Sequence, residues 1–155
     1  MATQFRYRWR GALAGALLVA LIPTSKAGVF TVTEPWVRVA PNGKSAEAYV
    51  ELRSSEVAKL VDVRTEVAGD ISIRPPGASR ATVGEIPLPA GVLVKLTAGG
   101  YRFSIAKLNR SLKPGDRVPM IVVIEAPNGT RQEIPVDAEV RQQSPTEDHK
   151  RPHTR

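Results

Sequence analysis

The sequence contains no cysteine, and this absence excludes several kinds of chemistry. Without thiols the chain can form no disulfide bond, use no thiolate nucleophile and bind no metal through thiolate sulfur. Histidine is nearly as scarce, because His149 and His153 are the two copies and both lie near the C-terminus. The rest of the chain therefore lacks the usual general bases, and no G-x-S-x-G motif or phosphate-binding glycine loop is present. We expect a protein that is not an enzyme.

The first 27 residues have the order of a secretory signal peptide. Three arginines without an acid precede the apolar run of residues 11–22, and Ser25-Lys26-Ala27 follows as a small-x-Ala cleavage signal. The apolar run is short for a membrane span, and there is no cysteine at the junction for lipid attachment. We predict a periplasmic or secreted protein, cleaved near Ala27 and without a stable membrane anchor afterwards. A segment retained as an anchor is the alternative.

Much of the positive charge belongs to this leader. The full sequence has 22 Lys and Arg against 15 Asp and Glu, for a net charge of +7. Four of these bases and none of the acids lie in residues 1–27, so the mature chain carries only +3. No run of Lys and Arg with interleaved aromatic residues is present either. We therefore expect no binding to nucleic acid.

The remaining sequence alternates apolar and polar residues between frequent turns. The segment AEAYVELR, residues 46–53, puts Ala48, Val50 and Leu52 on one face of a strand, and Pro/Gly-rich stretches separate it from similar segments. Asn128-Gly129 favours a two-residue hairpin turn. This pattern predicts one all-β domain over residues 28–140, an antiparallel Greek-key β-sandwich. Residues 141–155 contain no large apolar side chain and are predicted to be a disordered polar tail.

Several segments together resemble the periplasmic copper chaperone family that is built on the PCuAC domain. VTEPWVRVAPNGKSAEAYVEL is similar to the first two strands of that family, and IPLPAGVLVKLTAGGYRFSIAKLNRSLKPGDRVPMIVVIE follows its second half closely. The similarity extends over residues 29–140. It implies an extracytoplasmic β-sandwich of cupredoxin-like appearance. It also implies a Cu(I) site made by a His, a Met and a His-x-Met, from which copper is passed to the respiratory oxidase.

The resemblance puts other residues at the positions of these copper ligands. The first His falls on Arg74, the Met on Arg80, and the His-x-Met on Arg102-Phe103-Ser104. Imidazole and thioether groups suit Cu(I), whereas a guanidinium stays protonated and offers no lone pair. Met120 lies in an apolar segment and is assigned to the core. We therefore expect a degenerate copper site and no cofactor in the domain.

Three interpretations of these positions remain open. In the first, Arg74, Arg80, Arg102 and Ser104 form a patch on a non-catalytic binding or assembly module, and the patch recognises a small anion or an acidic protein partner in the periplasm. In the second, the arginines point into water and the site is inactive. In the third, the protein still delivers copper for respiratory oxidase assembly through other ligands, for which His149 and His153 of the tail are weak candidates.

Overall fold

The computed structural model describes residues 28–143. The predicted signal peptide and most of the predicted tail, including His149 and His153, lie outside these residues. Within these residues the regular secondary structure consists of β-strands. No helix that could cross a membrane is found among them. The strands are β1 (Phe30–Val39), β2 (Ala46–Ser54), β3 (Ala58–Thr65), β4 (Ala68–Arg74), β5 (Ile86–Leu88), β6 (Leu93–Lys95), β7 (Arg102–Leu108), β8 (Arg117–Glu125) and β9 (Arg131–Val140).

The strands form one curled sheet that closes around a single core. Its order is β4-β7-β2-β1-β9-β8-β3-β5, and β6 pairs with one end of β2. The named strands pair in antiparallel fashion except for β1 and β9, which run parallel at Trp36↔Glu139. Strands β3 and β4, which lie near opposite ends of this order, also contact each other, so the sheet curls round on itself. This arrangement confirms the predicted all-β sandwich.

Alternation along β2 and β7 directs one face of each strand into the core. Ala48 and Leu52 of β2, and Phe103 and Ile105 of β7, are all fully buried. Met120 of β8 is buried in the same core, as expected from its apolar segment. Burial of these side chains away from water is the main favourable contribution to the stability of the sandwich.

A β-bulge in β1 determines which of its side chains reach the outer face of the sheet. The register against β2 shifts just before Trp36, where Glu34 takes a φ of 49°. One extra residue reverses the alternation of a strand, so Val32 packs on the core before the bulge and Val37 packs on it afterwards. As a consequence, Trp36 and Arg38 lie on the outer face beside β2.

One local prediction was wrong, and one strand was missed. In place of a two-residue hairpin at Asn128-Gly129, Ala126 pairs with Thr130 around a longer loop, residues 127–129, which ends with Gly129 at a φ of 82°. Such loops also match the twist of the flanking strands. Strand β5 was not predicted, because it runs directly into the stretch LPAG, residues 88–91, which indicated a turn. Since β5 is the last strand of the sheet, Pro87 breaks no central ladder there.

Candidate functional site

The four positions carried over from the copper family lie on β4, on β7 and in the loop after β4. Arg74 and Arg102 are direct cross-strand neighbours in the register of β4 and β7. Ser104 follows two residues later on β7, opposite Glu47 of β2, and therefore shares the outer face with Arg102. Arg80 lies in the exposed loop between β4 and β5. The sheet thus brings Arg74, Arg102 and Ser104 together, whereas no strand fixes Arg80.

The protein itself surrounds the Arg102 side chain with oxygen atoms. Its Nε donates to Glu47 Oε1 at 3.1 Å, and its Nη1 donates to the backbone carbonyl oxygens of Pro75 at 2.9 Å and Gly100 at 3.3 Å. Only 11% of the side chain is exposed. From the sequence we expected a guanidinium that was open to water or to an added anion. Arg102 does lie on the outer face, but its charge is already paired there.

Arg74 and Arg80 keep more of their hydrogen-bond donors available. Arg74 Nη1 donates to the carbonyl oxygen of Ala81 at 3.2 Å, and this side chain makes no ion pair within residues 28–143. Over the same residues, neither the Arg80 guanidinium nor the Ser104 hydroxyl has a hydrogen-bond partner. The available positive charge therefore belongs to Arg74 and Arg80 rather than to Arg102.

Glu47 links β1, β2 and β7 on this outer face. Its Oε2 accepts hydrogen bonds from Arg38 Nη2 at 3.1 Å and from the Tyr49 hydroxyl, while its Oε1 faces Arg102. Arg38 Nη2 also donates to Tyr49 Oη at 3.0 Å, and the Arg38 Cζ lies 5.8 Å from the centroid of the Tyr49 ring. The Trp36 ring packs against the same tyrosine with 4.6 Å between centroids. One carboxylate thus lies between two guanidinium groups and compensates part of their charge.

This network shifts the pKa values of its members. Burial acts to raise the pKa of Glu47, but hydrogen bonds from Tyr49 and Arg38 and the charge of Arg102 outweigh it, so that this pKa lies below its ordinary value of 4.5. Burial raises the pKa of Tyr49, and the hydrogen bond to the Glu47 carboxylate raises it further. At neutral pH the network therefore contains an ionised Glu47 and a neutral tyrosine between charged arginines.

Glu47 and Tyr49 are site residues that sequence reasoning missed. Alternation along β2 puts Glu47 on the face opposite Ala48, and the structure has it on that outer face. Alternation does not give the cross-strand register. That register pairs Glu47 with Ser104 and so places Glu47 next to Arg102. The i, i+2 spacing of a glutamate and a tyrosine was the signal available, because it places both side chains on one face of a strand.

The outer face is open on both sides of Arg38. A cleft of about 680 Å³ on one side is lined by Glu47, Ser104 and Arg141 among others. A second cleft, of about 550 Å³, lies on the other side between Trp36 and the turn after β6. A ligand can therefore approach this part of the sheet from solvent.

The side chains at the four positions do not fit Cu(I). Arginine provides no lone pair, and the Ser104 hydroxyl is a hard oxygen donor in place of a soft thioether. Residues 28–143 contain no group of three or more His, Cys, Asp or Glu that could hold a metal ion. Any copper chemistry of this chain would have to use side chains other than these four.

The chain is similar to known proteins over almost the whole described domain. Residues 30–140 match the family model of LpqE-like lipoproteins. No curated protein matches the sequence. The apo PCuAC domain from PmoF1 is 26% identical with a TM-score of 0.63, over 74% of this chain and 94% of that one. The copper-bound PCuAC domain from PmoF2 is 20% identical with a TM-score of 0.60, over 74% and 93% of the two chains.

A third similar structure is the Cu(I) form of DR1885 from Deinococcus radiodurans. It is 24% identical with a TM-score of 0.53, over 80% of this chain and 82% of that one. The two less similar structures support the fold alone, and together with the PmoF1 domain they confirm the PCuAC resemblance and the cupredoxin-like sandwich. The family model covers most of the sequence, and the chain therefore belongs to the LpqE-like lipoprotein family.

Proposed function

We propose that this chain is an exported, non-catalytic binding module that uses the PCuAC-like fold without copper and recognises an acidic group through its arginines. The proposal is supported by one observation: Arg74 and Arg102, two of the positions that the resemblance assigns to copper ligands, lie side by side in the sheet. Family membership indicates a location outside the cytoplasm. In this proposal residues 1–27 are the signal peptide, cleaved near Ala27, residues 28–140 are the module and residues 141–155 are a polar tail.

Within this surface the arginines have different roles. Arg102 is a fixed part of the surface, because Glu47 and two carbonyl oxygens hold it in place. Arg74 is one position across the sheet and has no carboxylate partner within residues 28–143. Arg80, from the neighbouring loop, is exposed. An incoming acidic group would therefore bind to Arg74 and Arg80 and would leave the internal pair intact.

The chemistry of this surface favours a carboxylate or a phosphate. A charge-assisted hydrogen bond contributes about 1.5–3 kcal/mol before the cost of ordering the partners is subtracted. Each guanidinium can present two parallel N–H groups, which match the two oxygens of such a ligand. The hydroxyl of Ser104 lies on the same face and adds one further donor.

A binding experiment tests the anion proposal and distinguishes an acidic protein segment from a small anion as the ligand. The full chain is titrated with a fluorescent hexaglutamate peptide and, separately, with inorganic phosphate and citrate. We expect peptide binding that weakens with salt and falls at least about fivefold in the Arg74→Gln, Arg80→Gln chain, since one charge-assisted bond is worth this much or more. Arg110→Gln with Arg117→Gln is the matched control, because it also removes two charges and both arginines are exposed but lie outside this surface. Equal loss in both chains would contradict the proposal.

A second experiment tests the loss of copper. The full chain competes with a chromogenic Cu(I) chelator, and we expect no transfer of copper to the protein. In the chain with Arg74→His, Arg80→Met, Arg102→His and Ser104→Met, which restores the soft ligand set, we expect competition to appear. Copper binding by the native chain that disappears in His149→Ala, His153→Ala would contradict the proposal and support the alternative, a copper carrier for oxidase assembly that uses its tail.

A further inference from the structure

Strand β4 lies at an edge of the sheet, and part of its backbone faces away from the other strands. Among the strands of residues 28–143 it pairs with β7 alone. At Ile73 the outward side is already used, because Val83 N from the following loop donates to Ile73 O at 3.0 Å. The N–H and C=O groups of one residue in an antiparallel ladder point to the same side. Ile73 therefore identifies the residues of β4 whose hydrogen-bonding groups point away from β7.

Two other residues of β4 point the same way and keep these groups free. The direction of hydrogen bonding alternates along a strand, so the backbone groups of Ile71 and Gly69 point outward together with those of Ile73. Over residues 28–143 no backbone hydrogen bond reaches the outward side of Ile71 or Gly69. Gly69 and the neighbouring Asp70 are exposed. An added strand could therefore form backbone hydrogen bonds with both residues.

Neither the backbone conformation nor the local packing requires glycine at position 69. Its φ is not among the positive values, which are found at other glycines such as Gly77 and Gly129. A Cβ atom on Gly69 would lie 3.4 Å from the Cβ of Lys107, which is an ordinary van der Waals distance. A glycine inside a strand often marks a place where another backbone approaches closely. This position therefore fits a strand that is added to β4.

The charges along β4 indicate which kind of strand fits its edge. Asp70 and Arg74 share the outer face with Ser72, and neither charged group has an ion-pair partner within residues 28–143. Opposite charges that face each other across two strands stabilise the pairing, and like charges destabilise it. Because Val83 closes the edge at Ile73, an added strand pairs with residues 69–72. A basic residue opposite Asp70, and an acidic residue just before the paired stretch that reaches Arg74, would complement both charges.

A second copy of this chain is a poor occupant of the same edge. The register that uses the free backbone groups of both copies is centred on Asp70 and places two carboxylates opposite each other. A register centred on Ser72 would pair Asp70 with Arg74, but it needs the Ile73 carbonyl oxygen, which already accepts a hydrogen bond from the loop. The edge is therefore protected against pairing with itself and open to a different sequence.

We propose that the edge of β4 is a docking site, to which an extended segment of a partner protein adds as an antiparallel strand. Its backbone pairs with Gly69 and Ile71, a Lys or Arg lies opposite Asp70, and a preceding acidic residue binds Arg74. Main-chain hydrogen bonds give affinity in this mode of binding, and alternate side chains give specificity. The proposal rests on the function proposed above in its use of Arg74, and it names the acidic partner as a protein segment.

Amide hydrogen exchange, followed by nuclear magnetic resonance, tests the added strand. The full chain is titrated with the end-blocked peptide Glu-Val-Thr-Val-Lys-Val, which has the charge pattern described above. We expect the amides of Gly69 and Ile71 to exchange rapidly in the free chain and at least about tenfold more slowly with saturating peptide. The Ser72 amide, which points to β7, is the internal reference and should change little. A peptide with Gln in place of Glu and Lys should bind about threefold or more weakly.

Substitutions at Gly69 test the backbone contact. Gly69→Pro removes the outward N–H group, whereas Gly69→Ala keeps it and places its Cβ at an ordinary distance from Lys107. We expect the affinity for the peptide to fall about threefold or more in the Gly69→Pro chain, because one hydrogen bond is lost, and to stay unchanged in the Gly69→Ala chain. Thermal melts establish that both chains are folded. If the Gly69→Pro chain is not, the exchange rates of the native chain decide the question.

The exchange measurement also separates this proposal from the function proposed above. No binding of the peptide, or binding that leaves Gly69 and Ile71 unprotected, would overturn the added strand. A dimer of the free chain in which these amides are already protected would overturn it as well. If hexaglutamate bound through Arg74 and Arg80 while the designed peptide gave no protection, the added strand would be wrong and the anion-binding function would stand. Protection by the designed peptide in a chain that binds neither hexaglutamate nor a small anion would support the added strand alone.

Discussion

The two faces of strand β7 place different demands on its residues. On the inner face Phe103 and Ile105 are fully buried among the apolar side chains of the core. On the outer face Arg102 is held by Glu47 and two carbonyl oxygens, and Ser104 lies beside an open cleft. The inner face needs only apolar volume at alternate positions. The outer face needs particular atoms on neighbouring strands, and it carries Arg102 and Ser104, two of the positions that the family resemblance assigns to copper ligands.

The inner face of the sheet therefore serves packing, and the outer face is available for recognition. The inner faces can preserve the PCuAC-like sandwich while the outer face changes its chemistry, because successive side chains of a strand point to opposite sides of the sheet. It follows that changes on the inner face should mainly affect stability, whereas changes at Arg74 should mainly affect binding. The pair Arg102–Glu47 lies between these cases, since it belongs to the outer face but is mostly covered.

The largest effect is expected on the inner face, from Phe103→Ala. The side chain is fully buried, so its loss removes apolar contacts and leaves a cavity. We expect the free energy of unfolding to fall by about 3–5 kcal/mol, measured by urea denaturation. Phe103→Leu is the control, because it keeps most of the apolar volume and should cost much less. A loss below about 1 kcal/mol in Phe103→Ala would show that this part of the core is not tightly packed.

The next effect is expected for Arg102→Ala on the outer face. The substitution removes the hydrogen bonds to Glu47, Pro75 and Gly100 and leaves two carbonyl oxygens without their donor. We expect a loss of about 1.5–3 kcal/mol in the same assay, as for hydrogen bonds that involve charged groups. Arg74→Ala is the matched control on the next strand and should change stability by about 0.5 kcal/mol or less. Similar losses in the two chains would mean that the hydrogen bonds of the covered Arg102 add no more to the free energy of unfolding than the exposed Arg74 does.

The sequence predicts the inner face much better than the outer one. Alternation in AEAYVELR identified Ala48, Val50 and Leu52 as core residues, because burial depends on a period that a single strand contains. The family resemblance likewise indicated the sandwich, and the comparisons confirmed it. The hairpin at residues 127–129 differed in loop length because more than one turn type suits the dipeptide Asn-Gly.

The outer network could not be predicted, because it depends on register between distant segments. Glu47 and Arg102 are far apart in the sequence, and only the pairing of β2 with β7 makes them neighbours. The bulge at Glu34 then decides that Arg38 joins the same face. A one-residue slip at either place would have sent these side chains to the other side of the sheet. The residue types were visible in the sequence, but their contacts were not.

The pH dependence of stability should distinguish charged residues of the outer face from apolar residues of the inner face. Because the pKa of Glu47 is lower in the folded chain than its ordinary value of 4.5, its ionised form contributes stability above that value. This contribution is lost as the pH falls through the lower pKa of the folded state. We therefore expect Glu47→Gln to be less stable than the native chain at neutral pH, and the difference to shrink in acid. Nuclear magnetic resonance titration of the Glu47 carboxyl group gives the pKa directly.

Two controls accompany this titration. Phe103→Leu should lower stability by a similar amount at both pH values, since no charge is altered. In the Arg102→Ala chain the pKa of Glu47 should move upward, because one of the groups that lowers it is removed. An unchanged pKa in that chain would show that Tyr49 and Arg38 alone determine the charge of Glu47.

The smallest effect is expected for an ion pair that solvent surrounds. Lys59 Nζ lies 3.0 Å from Glu85 Oε2, but about half of each side chain is exposed, in contrast to Arg102. Exposed pairs of this kind contribute about 0.2–1 kcal/mol and are screened by salt. In a double-mutant cycle, Lys59→Ala with Glu85→Ala should give a coupling energy near the lower limit, whereas Arg102→Ala with Glu47→Gln should give a larger one that persists in salt. If both cycles gave the same salt-sensitive coupling, distance alone would govern the strength of these pairs, and the covering of Arg102 by Pro75 and Gly100 would have no energetic meaning.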